Sequence, residues 1–470
     1  MKSSDDMIAD LYERRDQYET DKKRKQAVRR RIAIPAIVVC LVMLLGAGVW
    51  KSGVLGKLGK RPASPAGNET QENVGNKPTS TPLPPEVTKS KDLTAGAGSG
   101  VAANRKPMDL AMREAYEQFA YRLFTQLPEG KTRMVSPFSV YVALSIAANG
   151  ANGETLSQMD ELLGLTAEER NAYLTAWIED LTSGGSDDTR FTNADSLWIR
   201  SSLEQYVPKE FLDICAQYYQ AAVYSTPMDR STVEGINAWV KAKTMNMIDK
   251  LIEELSPETV MILMNAIALD AKWTETFDEA KTQKDYTFTK ADGSTVKVDM
   301  MFEKAQGGYV ENDLATGFIK RYKGGEFSYI ALLPKEGVSV GQLAKSLKPG
   351  DIRILYNNPI NGEVNIGLPK YEEEYKVELN EVLKALGVTD AFDAGKADFS
   401  RLLQRGAHVS QVTHKTFISV DEAGTKAAAV TEIAFDECEP RRYRVILDRP
   451  FVYMIVDSDG LPIFLGTYEG

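Results

Sequence analysis

At 470 residues the chain is long for a single domain, so more than one region is expected. Three cysteines (Cys40, Cys215, Cys438) exclude a disulfide framework and fit no CxxC pattern, and two histidines (His408, His414) exclude a His-rich metal site, so no metal or other cofactor is expected. The formal charge is −10, but residues 1–107 carry 19 basic against 11 acidic side chains, so the remainder bears −18, which repels phosphates and argues against a nucleic-acid partner.

In chain order, residues 1–31 form a basic tail ending in Arg29, Arg30 and Arg31. Ile32 to Trp50 is an uncharged, mostly apolar run. At about 1.5 Å per residue it reaches about 28 Å, close to the hydrocarbon thickness of a bilayer. The denser basic flank before it predicts a single-pass membrane protein with residues 1–31 cytoplasmic, 32–50 a transmembrane helix, and all that follows extracellular. A cleaved signal peptide competes on the strength of Gly46, Ala47 and Gly48, although the leading region is long for one. A buried core helix competes less well, because both flanks are polar. From 51 to 107 the chain is rich in Pro, Ser, Thr, Gly and Asn, as in "NKPTSTPLPPEVTKS", and reads as a flexible stalk. Asn68-Glu69-Thr70 matches a glycosylation acceptor, a motif too short to weigh.

A globular domain is expected over 108–470. Leu110, Ala115, Phe119, Leu123 and Leu127 recur at helical spacing. A second helix should start at Ser136-Pro137, since Ser caps well and Pro suits the first turn, and stop at Asn149-Gly150. Another helical stretch covers 233–255. Short apolar or alternating runs at 260–269, 328–333, 364–368, 451–457 and 463–467 read as strands. Helices dominate early and strands late, which predicts an α+β fold.

No P-loop, Rossmann fingerprint, HExxH or GxSxG is present. Cys438 paired with His414 would make a poor nucleophile, because Glu437 and Glu439 disfavour its thiolate. An enzyme is therefore the weaker class. Residues 421–440, "DEAGTKAAAVTEIAFDECEP", carry a different signal. Thr425, Ala427, Ala429, Thr431, Ile433 and Phe435 share one parity; every charge from 425 to 436 lies on the other. That is the period of a strand with one buried face, and no proline interrupts 422–437. An edge strand or an Ala-rich helix would share parts of this pattern.

"DEAGTKAAAV" resembles the proximal hinge of the serpins, a family of suicide-substrate protease inhibitors. "VSPFSVYVALSIAANGANGETLSQM" (135–159), "NADSLWI" (193–199), "INAWVKAKTMNMI" (236–248), "LMNAIALDAKW" (263–273), "VDMM" (298–301), "YIALLPK" (329–335), "VNIGLPKY" (364–371) and "DRPFVYMIV…GLPIFLGTY" (448–468) resemble further family segments in the family's order. The resemblance implies helices around a large mixed β-sheet, further sheets, and an exposed reactive loop that inserts into the main sheet after cleavage and traps the acylated protease. It implies no catalytic residues and a monomer whose partner is a target protease.

By the same resemblance Glu422, Gly424, Thr425, Ala427, Ala428 and Ala429 form the loop hinge. Ser136, Ser139, Asn265 and His414 match a buried polar cluster where the sheet parts, and Trp273 a tryptophan at its mouth. Ala268-Leu269-Asp270-Ala271 departs from the family's usual Tyr-Phe-Lys-Gly. Family spacing from Glu422 places the residue before the scissile bond at Cys438; counting back from Leu447–Phe451 places it at Glu439, where Pro440 would hinder cleavage. The expected bait is Cys438-Glu439, with Glu437-Cys438 second. Cys438 suits elastase- or subtilisin-like enzymes and Glu437 a glutamate-specific one. A non-inhibitory binding or adhesion protein and a membrane-tethered hydrolase are the competing classes.

Overall fold

The chain divides into two units, Met1–Thr79 and Ser80–Gly470. The computed structural model describes residues 90–97, 105–129, 131–183, 186, 188–424 and 441–470, all in the second unit. In chain order these form β1 (Lys91–Asp92), α1 (Leu110–Gln126), β2 (Arg133–Val135), α2 (Pro137–Gly150), α3 (Gly153–Leu163), α4 (Ala167–Ser183), β3 (Thr189–Arg200), α5 (Lys209–Tyr219), β4 (Ala222–Thr226), α6 (Arg230–Lys243) and β5 (Met261–Ala271). There follow β6 (Gln283–Thr289), β7 (Thr295–Gln306), β8 (Tyr309–Glu311), β9 (Ala315–Arg321), β10 (Phe327–Pro334), α7 (Val340–Ser346), α8 (Asp351–Asn357), β11 (Glu363–Pro369), β12 (Tyr371–Glu378), α9 (Asn380–Ala385), β13 (Thr413–Val420), β14 (Arg442–Ile446), β15 (Phe451–Asp457) and β16 (Pro462–Tyr468).

The caps explain the first helices. Asp109 accepts a hydrogen bond from Met112 N–H at the start of α1. Ser136 accepts from Ser139 N–H ahead of Pro137, as its residue types predict. Every residue of α2 is buried, so it is a core helix covered on all sides. It packs against β16, β5 and β3. The strands form four sheets with orders β1-β4-β3-β5, β2-β16-β15-β10-β9-β8, β14-β11-β7-β6 and β12-β13. The expected α+β architecture of helices around a large mixed sheet is present.

The helical stretch expected over 233–255 ends at Lys243. Met245 and Asn246 adopt left-handed φ of 54° and 64°, which a helix does not tolerate. The Asn237 side chain then pins the turn, accepting from Leu251 and Ile252 N–H and donating to Ile252 O. Ile248, Leu251 and Ile252 are buried with Trp198, Trp239, Ile262 and Met264, so the apolar spacing continued without the helix. Residues 244–252 form a strap across the sheet.

Residues 1–31 and 32–50 lie outside the described residues, as does most of 51–107. Within that last stretch Lys91 and Asp92 pair antiparallel with Ser225 and Tyr224, and Leu93 N–H donates to Val223 O at 2.7 Å. The free edge of β4 supplies the backbone partners that composition could not reveal. The expected placement as a single-pass membrane protein with an extracellular domain does not stand: no helix among the described residues is long and apolar enough to cross a membrane.

Candidate functional site

Strands β5 and β13 run side by side and parallel without a ladder between them, and belong to separate sheets. Their direction follows from two cavities along the seam. At one end Leu263 and Asn265 share a cavity of about 10 Å³ with Thr413 and His414. At the other, Leu269, Asp270 and Ala271 share one of about 220 Å³ with Phe417, Ile418, Ser419 and Asp421. Among the described residues the facing backbone edges therefore have no strand partner of the kind that buried peptide groups require. Val140, Ala143 and Leu144 of α2 close the narrow end from behind. In front, Lys415 of β13 reaches the strap, donating to Lys250 O at 2.8 Å, and pairs with Glu374 at 2.8 Å.

At the wide end the chain leaves β13 under Trp273. Its indole N–H donates to Asp421 O at 2.9 Å, and its backbone N–H to Ala423 O at 3.2 Å. The ring stacks on Tyr322 at 4.3 Å, and the Lys320 ammonium, paired with Glu303 at 2.6 Å, lies 5.5 Å from its centroid. Glu422 accepts from Thr282 Oγ1 at 2.9 Å and Lys370 Nζ at 2.8 Å. Burial alone would raise the Glu422 pKa, but these hydrogen bonds outweigh it and hold the carboxyl below its usual range. Gly424 sits at φ 63°, where a Cβ would run into the backbone nitrogen of Trp273. Only glycine makes this turn without strain.

At the narrow end His414 Nε2 accepts from Ser136 N–H at 3.0 Å, while Ser136 Oγ donates to Ile463 O at 2.8 Å and accepts from Ser139 N–H at 3.2 Å. Burial depresses the His414 pKa to about 4, so it is neutral at ordinary pH with Nε2 free to accept. Asn265 donates to Asp195 Oδ1 at 2.6 Å, and its own Oδ1 is buried with no partner among the described residues. Burial raises the Asp195 pKa to about 7, opposed by hydrogen bonds from Asn265 and Asn193.

The structure thus brings Ser136, Ser139 and His414 into one cluster, sets Asn265 beside His414 in the same cavity, and puts Trp273, Glu422 and Gly424 together at the wide end. Thr425, Ala427, Ala428, Ala429, Glu437, Cys438 and Glu439 lie outside the described residues, which resume at Arg441. Sequence reasoning did not single out Asp195, Lys370, Thr282 or Tyr322. Only Asp195 carried a visible signal, sharing a strand face with Asn193 two residues earlier. The departure at 268–271 is accommodated within β5, where Asp270 pairs with Arg190 across the ladder. Among the described residues no cluster of His, Cys, Asp or Glu could hold a metal ion.

The site is thus a parted sheet with a strand running to its open mouth. Residues 114–469 match the family described as serpin (serine protease inhibitor), and the chain belongs to it. A serpin-like protein of Methanosarcina mazei is 30% identical, over 76% of this chain and 86% of its own length. Serpin B8 of Bos taurus is 31% identical over 73% and 95%. The thermophilic serpin tengpin in its native state superposes with a TM-score of 0.72 at 36% identity, covering 81% of this chain and all 100% of that one. Thyroxine-binding globulin in complex with thyroxine gives 0.68 at 26% identity, covering 76% and 99%.

Proposed function

We propose that this serpin is an irreversible suicide-substrate inhibitor of serine proteases. The carrying observation is the unladdered seam between parallel β5 and β13, with the chain leaving β13 through a glycine turn at its open end. A segment folding back from Gly424 into the seam would run antiparallel to both neighbours and find backbone partners on both edges. Such strand addition has loop insertion in serpins as one of its standing examples. The parity of 425–435 supplies the buried face: Thr425, Ala427, Ala429, Thr431, Ile433 and Phe435. The Asn265 Oδ1 at the narrow end, buried and without a partner among the described residues, gains a donor from the same event.

The chemistry belongs to the protease. Its serine Oγ attacks the carbonyl carbon of Cys438, the bond to Glu439 breaks, and the new amine leaves with a proton, so an ester joins the two proteins. Insertion of the freed strand drags the enzyme away before water reaches that ester. Ala427, Ala428 and Ala429 enter with little steric resistance, and Thr425 goes first. Small specificity pockets, elastase- or subtilisin-like, fit Cys438; a bait shifted to Glu437 fits a glutamate-specific enzyme.

The test is to incubate the full chain with pancreatic elastase, subtilisin, trypsin and a glutamyl endopeptidase. The expected result is a denaturant-resistant adduct with one of the first two and release of a peptide beginning at Glu439. Thr425→Arg would force a charge into the seam at a cost of several kcal/mol, roughly, and turn the inhibitor into a substrate. Undiminished adduct with that variant contradicts the mechanism. A ligand-carrying reading has the 220 Å³ cavity beside Trp273 in its favour. It predicts cleavage without any adduct.

A further inference from the structure

Where the described chain resumes after the bait, it enters β14 as Arg441, Arg442, Tyr443 and Arg444. Arg441 O accepts from Glu363 N–H at 2.9 Å, which fixes the start of the strand. β14 is the terminal strand of its sheet and pairs parallel with β11. The register places Arg444 opposite Asn365, and Asn365 opposite Lys304 of β7; Arg442 stands opposite Glu363 in the next row of the same face. Tyr443 points the other way and stacks on Tyr309 at 4.0 Å.

Arg441, Arg442, Arg444 and Lys304 are exposed. Among the described residues Arg441, Arg444 and Lys304 have no acidic partner, and Arg442 has only Glu363 at 3.8 Å. The row beyond carries Ile446 and Phe302, whose side chains close over Gly367, with Tyr286 edge-on to Phe302 at 5.7 Å. A cationic strip with an aromatic border is thus built onto a domain bearing a formal −18. Exposed charges are usually mere solvation, but these four share one sign against the charge of their domain. Arginine and aromatic side chains are also the groups enriched where proteins meet.

We propose that this strip is a docking surface for the target protease and selects enzymes with an acidic rim on the leaving-group side of the cleft. The proposal rests on the inhibitor reading above and deepens it. From Cys438 to Arg442 is four residues, at most about 14 Å of chain, so an enzyme seated on the Cys438-Glu439 bond covers the strip. Opposite charges there speed the encounter and steer its orientation, while a basic rim is rejected.

The probe is subtilisin in two forms, with two glutamates or two lysines introduced on the leaving-group rim of its cleft. The rate of cleavage within 425–440 of the full chain is measured at about 50 mM and about 500 mM salt, where screening differs most. The glutamate form should cut at least about tenfold faster at low salt. That preference should fall to within about twofold at high salt and in an Arg442→Ser/Arg444→Ser double variant. Lys304→Glu, an exposed single change, should reduce it in part if the double variant folds poorly. Equal preference in the parent, the double variant and Lys304→Glu overturns the proposal. Cleavage is scored whether or not an adduct follows. Loss of the adduct with the charge preference intact therefore counts against the inhibitor reading and for the docking surface.

Discussion

Gly424 concentrates the demands on a single residue. Its φ of 63° and the Trp273 backbone leave no room for a Cβ, so Gly424→Ala should cost the uncleaved protein about 1–3 kcal/mol. In an inserted, extended strand the same alanine meets no such barrier. The uncleaved variant should melt earlier while the cleaved variant melts like its parent; equal losses in both forms would refute this account. Asp195 supplies a pH signature. Its folded pKa of about 7 lies above the unfolded value of 3.8, so the stability it contributes is present at low pH and lost as pH rises through about 7. Asp195→Asn removes that dependence. Its melting temperature relative to the parent should climb between pH 4 and pH 7 and level off above, and a constant difference would rule the assignment out. His414 acts with the opposite sign, its stability lost as pH falls from 6.5 toward about 4. His414, Ser136 and Trp273 were legible in the chain through the family resemblance. Asp195 was not, because its raised pKa comes from burial in the folded chain, and the Asn265 that opposes the rise lies 70 residues away in sequence.

At the scale of elements, the mouth of the seam is latched by Glu422, which joins the end of β13 to Lys370 at the β11–β12 junction and to Thr282 ahead of β6. A glutamine keeps the shape but loses the charge-assisted bonds. Glu422→Gln should speed heat-induced conversion to the inserted, hyperstable form about fivefold, the equivalent of about 1 kcal/mol. An unchanged half-life at elevated temperature would place the latch elsewhere. The strap shows where element-level reading failed. Ile248, Leu251 and Ile252 keep helical spacing, yet Met245 and Asn246 turn the chain out of the helix after Lys243. Periodicity reports which residues are buried, and here they were buried by a turn that Asn237 holds. The strands at 327–334 and 451–457 were readable because their alternation or continuous apolar character is local.

For the whole molecule, the proposed mechanism requires that the uncleaved fold leave the facing edges of β5 and β13 unpaired, as they are among the described residues. One nick within 425–440 should raise the melting temperature by tens of degrees, roughly, since β5 and β13 then each gain a ladder to the inserted strand. A nicked protein that melts with the intact one would remove the basis of the inhibitor reading. By itself the sequence determined the family, the α+β class, the order of the main helices and strands, and a parity in 425–436 suited to burial on one face. These are carried by neighbours in the chain, through periodicity, capping residues and ordered motifs. That β5 and β13 lie parallel and unjoined, that Lys91 and Asp92 extend the edge of β4, and that Arg442, Arg444 and Lys304 share one face were decided only by tertiary structure. Each depends on strands far apart in sequence meeting in a particular register, and register is set by the packing of the whole rather than by any local run of residues.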